Sequence, residues 1–149
     1  RRWWDNRRLS HLPDMAMSPQ ETAQRCADAM WPDDHAARGL GMRILAVGPG
    51  VATLTMAVRP DMVNSHGTCH GGFIFAVADS TFAYACNSFN HRTVAAGVDI
   101  NFLAPAHRGD QLTAIGHARH QGGAGKEDFL EADGHGGASF QRKSGKKIV

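Results

Sequence analysis

Across residues 72–89 the chain is apolar at almost every position, and only Asp79, Ser80, Thr81, Asn87 and Ser88 resist burial. A helix that is apolar on every side belongs in a core, wrapped by other elements. The pattern therefore predicts a long buried helix, entered through a polar, glycine-bearing run and broken over residues 87–92. Upstream, Ser18, Pro19 and Glu21 form a helix start, with a capping serine, a first-turn proline and a glutamate closing a capping box. Ala23, Cys26, Ala27 and Met30 follow at helical spacing until Pro32, so the first forty residues offer one helix. Residues 42–47 and 51–58 are β-type runs around Gly48, Pro49 and Gly50, which predicts a hairpin. Residues 60–68 read as loop. Residues 93–103 read as a strand stopped by Pro105, and a turn at Gly109 and Asp110 leads into a further strand over 111–120. Past Gln121 the pattern thins, with glycines at 122, 123 and 125 and a short strand near 138–142. Helix, hairpin, buried helix, then strands is an α+β order: one antiparallel sheet curled around a central helix.

At 149 residues one domain is the natural count. Residues 1–17, with Trp3, Trp4 and several arginines, have no period and read as a flexible arm ahead of a single domain over 18–149. A net charge of +2 is too small to argue for nucleic acid. Cys26, Cys69 and Cys86 are an odd number without framework spacing, which suits free thiols in a reducing compartment. No apolar run reaches the roughly 18 residues of a membrane span, and residues 1–10 lack a signal-peptide core. The expectation is a cytoplasmic protein that engages neither membrane nor nucleic acid.

Within the apolar segment Asp79 needs an explanation, because an unpaired buried charge costs several kcal/mol or shifts its pKa. A carboxylate in such a setting can act as general base or as nucleophile towards an activated carbonyl. The competing reading is a structural aspartate satisfied by Ser80, Thr81 or a neighbouring chain. Gly71 and Gly72 stand where the helix begins, where free backbone N–H groups favour anions and developing oxyanions. They would equally allow close packing of the helix against the sheet. Asp79 lies eight residues beyond Gly71, about 12 Å along a helix. If both act on one acyl carbon they must come from two copies of the chain, and catalysis then implies a dimer. His66, Cys69 and His70 raise zinc, but their spacing is not that of a structural site and no fourth ligand is evident. The expectation is no metal. Cys69 is a weak candidate nucleophile near a helix start.

The run Asn64-Ser65-His66-Gly67-Thr68-Cys69-His70-Gly71-Gly72, followed by Ala78-Asp79-Ser80-Thr81-Phe82-Ala83-Tyr84-Ala85-Cys86-Asn87, closely resembles the phenylacetate-degradation (PaaI-type) thioesterases. These are hotdog-fold acyl-CoA thioesterases. Asp99-Ile100-Asn101-Phe102-Leu103-Ala104-Pro105 and Gly109-Asp110-Gln111-Leu112-Thr113-Ala114-Ile115 resemble the strands after the central helix in that family, and the likeness spans roughly residues 42–121. The resemblance implies a hotdog fold, with an antiparallel sheet of five or six strands around a long central helix. It implies homodimers that pair into tetramers, and hydrolysis of aryl- or acyl-CoA thioesters without cofactor, coenzyme A being part of the substrate. By the same resemblance Asp79 is the general base or nucleophile, and the Gly71 N–H of the opposite subunit is the oxyanion donor. His70 shapes that turn, Asn64 helps to position the thioester carbonyl or the attacking water, and Ser80 lies beside the acid. Two departures stand out. Ala95 and Ala96 occupy the neighbourhood where some relatives carry a water-orienting serine, and residues 122–149 lack the family's alternating last strands.

Two other functions share this fold. A hydratase or dehydratase acting on the acyl chain would want a close Asp–His pair. A non-catalytic acyl-CoA-binding module of the regulatory kind would carry an added DNA-binding helix-turn-helix.

Overall fold

A computed structural model describes residues 17–95, 98–118 and 139–142. The arm read over 1–17 lies outside them except for its last residue, as do most of residues 119–149.

The first helix, α1, spans Pro19–Met30 and begins as its sequence dictates. The Glu21 N–H donates to Ser18 Oγ, and the Ser18 N–H donates to Glu21 Oε2 at 2.8 Å. Its small residues Ala23, Cys26 and Ala27 are buried, and Gln20 Nε2 donates to the Val47 carbonyl, tying the helix to the hairpin. A short 3-10 turn at Trp31–Asp33 follows. The structure then adds a helix that the sequence reading lacks, α2 (His35–Gly39), capped by Asp34 through the Ala37 N–H at 3.0 Å. Five residues hold too few apolar repeats to register as a period.

Strands β1 (Arg43–Gly48) and β2 (Val51–Ala57) form the expected hairpin, turning at Gly50 with φ of +71°. A bulge between Ile44 and Ala46 leaves Leu45 outside the ladder and exposed. Strand β3 (Gln111–His117) pairs with β2, and β4 (Ser139–Arg142) pairs with β3, so the sheet is antiparallel in the order β1-β2-β3-β4. The strand expected over residues 93–103 is a correction. Those of its residues that are described join no ladder. Its side chains stay out: Val94, Val98, Phe102 and Leu103 are 50–87% exposed.

The central helix, α3, spans Gly71–Asn87 and lies across the sheet. Leu54, Met56, Leu112 and Ala114 alternate along the paired strands β2 and β3, are fully buried, and form the floor beneath it. At Gly116 the strand comes so close that a Cβ would sit 3.1–3.2 Å from the backbone of Thr81 and Phe82, so a side chain there would push helix and sheet apart by a few tenths of an ångström. Ile74, Val77, Thr81, Tyr84 and Ala85 face this core. The wholly buried helix expected from composition needs a correction on its other face. Phe75, Ala76, Asp79, Phe82 and Ala83 recur at three- and four-residue spacing and are only half-buried or, for Asp79, exposed. Thr81 is held against the sheet, and Asp79, two residues earlier, lies about 200° around the helix and points away from it.

Two polar clamps set the far end of α3. Ser88 Oγ accepts from the Gly50 N–H and donates to the Ala85 carbonyl, both at 2.7 Å and fully buried. The Asn87 amide donates to the Thr93 carbonyl at 2.9 Å and accepts from the Thr93 N–H at 2.8 Å, which returns the chain along the open face of the helix.

Candidate active site

The turn before α3 is built around Asn64. Its Oδ1 accepts from the backbone N–H groups of His66 and Thr68 at 2.9 and 3.2 Å, and its backbone N–H donates to the Thr68 carbonyl. The Asn64 side chain is thus engaged in shaping the turn. The loop is stitched to the rest of the fold by Cys69 N–H to the Ala106 carbonyl and His70 N–H to the Met62 carbonyl, each 2.8 Å. His70 then caps the helix. Its Nδ1 accepts from the Gly72 N–H at 3.0 Å, which requires Nδ1 unprotonated, so a neutral ring carries its proton on Nε2. The Phe73 N–H turns back to the His70 carbonyl. Among the described residues nothing accepts from the Gly71 N–H, which leaves one donor open at the positive end of a helix of 17 residues.

Asp79 and Ser80 sit two turns further on. Asp79 borders a cavity of 330 Å³, lined along the helix by Phe82, Ala83 and Cys86 and across from it by Thr93, Val94 and Ala95. Partial burial against these walls raises the Asp79 carboxyl above the usual carboxylate range. No described residue hydrogen-bonds or ion-pairs with it. Thr81 Oγ1 donates to the Val77 carbonyl instead, so the idea of an aspartate satisfied by its helical neighbours finds no support within the protomer. Cys86 forms part of the cavity wall, and burial pushes its thiol up to about 12, so it stays protonated and apolar in character. Burial, with Asp110 nearby, also raises the Cys69 thiol, which counts against Cys69 as a nucleophile. Among the described residues no three His, Cys, Asp or Glu side chains stand together as a metal site, and no helix is long and apolar enough to cross a membrane.

The sequence-predicted residues therefore fall into two groups. Asn64, His70 and Gly71 meet at the N-terminus of α3; Asp79 and Ser80 stand about 12 Å along the axis. The family resemblance placed Ala95 near the acid, but reading the sequence did not single out Asn87, Thr93 or Val94 as part of the site. The signal for Asn87 was its place at the end of the apolar run, where a side-chain amide can hold returning backbone.

Comparison with known proteins bears on the same region. The sequence pattern of the Thioesterase superfamily matches residues 66–124. The chain is 47% identical over 96 residues to the acyl-coenzyme A thioesterase PaaI of Escherichia coli, covering 64% of this chain and 69% of that protein. Its fold matches the structure of the E. coli PaaI protein from the phenylacetic acid degradation operon with a TM-score of 0.76 and 36% identity, over 88% of this chain and 89% of that one. A Thermus thermophilus phenylacetic acid degradation protein PaaI, solved as an N33D mutant, matches with a TM-score of 0.62 and 27% identity, over 77% and 91%. With its sheet laid across a long central helix and the glycine-led start of that helix intact, the chain belongs to the Thioesterase superfamily, among the hotdog-fold acyl-CoA thioesterases of the PaaI type.

Proposed function

We propose that this protein hydrolyses short or aryl-acyl CoA thioesters in a site shared between two copies of the chain. The observation that carries the proposal is the pairing of a carboxylate with no partner among the described residues, beside an apolar cavity, with an N–H that none of them accepts from, one helix half-length away. The thioester carbonyl oxygen accepts from the Gly71 N–H of the partner subunit, and the acyl group lies in the cavity beside Asp79. As a base, Asp79 takes a proton from water while the water oxygen bonds to the thioester carbon, and the C=O electrons move onto the oxygen at Gly71. When that oxyanion collapses, the C–S bond breaks, and the coenzyme A thiolate leaves and is protonated. As a nucleophile, the carboxylate would bond to the carbon first, and water would then cleave the resulting anhydride. Single turnover in ¹⁸O-water reports an anhydride opened at its Asp79 carbon, because that route alone leaves label on Asp79. His70 and Asn64 act on the donor end by fixing the turn, and Ser80 flanks the acid.

The cavity supports the substrate class. At 330 Å³ it lies at the low end of small-molecule sites, about 300–1,000 Å³, which suits one ring or a short chain. Supporting the second copy are the exposed Val94, Val98, Phe102 and Leu103, which give the open side of α3 an apolar border. Asp79→Asn tests the assignment: phenylacetyl-CoA turnover should fall by about a thousandfold or more with the oligomer intact. Near wild-type turnover would refute the role of Asp79.

A further inference from the structure

The segment that leaves the Asn87 clamp runs back along α3 and ends at the Ala106 carbonyl held by Cys69. Between these two ties lies Phe102, and its ring ends at Gly71. A Cβ placed on Gly71 would meet Phe102 Cζ at 2.9 Å, Cε2 at 3.3 Å and Cε1 at 3.4 Å, so the leading edge of the ring covers the first residue of the helix. The ring is 51% exposed, so it is not there to fill the core. His70 and Phe73 stand edge to face on the neighbouring turn with ring centroids 6.3 Å apart, which makes the surroundings of the open Gly71 N–H aromatic.

We infer that Phe102 is a specificity-determining residue: its ring, packed against the first residue of α3, borders the acyl site and favours aryl-acyl over straight-chain acyl thioesters. The inference rests on the Gly71 and Asp79 reading given above. A planar acyl ring held at the Gly71 amide can take an edge-to-face or offset position against Phe102, whereas an alkyl chain gains only area. In the shared site Phe102 moves with Gly71, so it meets the acyl group that enters the cavity beside Asp79 of the partner subunit. Because the ring fills no part of the protomer's own core, exchanging it for leucine keeps apolar bulk and removes only the ring.

The test compares kcat/KM for phenylacetyl-CoA and hexanoyl-CoA in the wild type, Phe102→Leu and Phe102→Ala, with Asp79→Asn as a separate arm. The phenylacetyl-to-hexanoyl ratio is expected to fall about three- to tenfold in Phe102→Leu and at least as far in Phe102→Ala, mostly through KM. An unchanged ratio with Asp79→Asn inactive overturns the role of Phe102 and leaves the catalytic reading standing. An active Asp79→Asn overturns the catalytic reading itself. Should Phe102→Leu lose its thermal transition, Phe102→Tyr, which keeps the ring, is expected to hold the wild-type ratio, and a fall in it would contradict the inference.

Discussion

On the proposed mechanism, Asp79 should affect stability and catalysis with opposite signs. Its carboxyl is raised by partial burial, so the folded chain holds the proton to a higher pH than the unfolded chain does. Stability that the protonated acid allows is lost as pH rises through that raised value, and at neutral pH the ionised group works against folding. Asp79→Asn should therefore melt no lower than the wild type at pH 7. The difference should close below about pH 4, where the acid is protonated in both states. The rate moves the other way. As base or nucleophile the group must be ionised, so turnover should fall on the acid side with an inflection above the usual carboxylate range. A pH–rate profile checks this. Gly71 tests contact at the other end of the site. Gly71→Ala must displace the Phe102 ring and crowd the amide, so kcat/KM should drop about tenfold or more while the melting temperature changes little.

At the scale of elements, α3 is held by side chains that the apolar pattern does not display. His70→Ala removes the acceptor for the Gly72 N–H and should cost about 1 kcal/mol, whereas His70→Asn, a good capping residue, should hold stability; denaturant titration distinguishes them. Ser88→Ala leaves the buried Gly50 N–H without its acceptor and should cost about 1–3 kcal/mol. Much of this level was legible from sequence: the capping box of α1, the hairpin about Gly50, and α3 with its glycine start all stand as read. Helix α2 was not, because its signal is one capping aspartate ahead of five residues. The 93–103 segment was read as a strand because its residues have strand propensity, but a ladder needs a partner, and none of its described residues pairs with one. The two faces of α3 were also illegible, since Phe75 and Phe82 on the open side are as apolar as Ile74 and Val77 on the sheet side. Hydropathy records that a residue seeks cover. Whether its own sheet or a second chain supplies that cover is decided by tertiary contact.

For the whole molecule, that open face is the consequence with most weight. On the proposed reading, an exposed apolar border beside a carboxylate with no partner among the described residues leaves the protomer chemically incomplete. If a second copy closes it, Leu103→Asp should disperse the oligomer and abolish turnover together while the far-ultraviolet circular dichroism of the protomer persists, with mass followed by light scattering. The proposed shared site is tested most directly by mixing two impaired variants. Asp79→Asn carries a sound Gly71, and Gly71→Ala carries a sound Asp79. In a mixed dimer one site receives both sound residues and the other receives neither. Co-refolding equal amounts should restore about one quarter of wild-type turnover, since about half the dimers are mixed and each has one working site. Activity no greater than the average of the two variants alone would contradict a site built from two subunits.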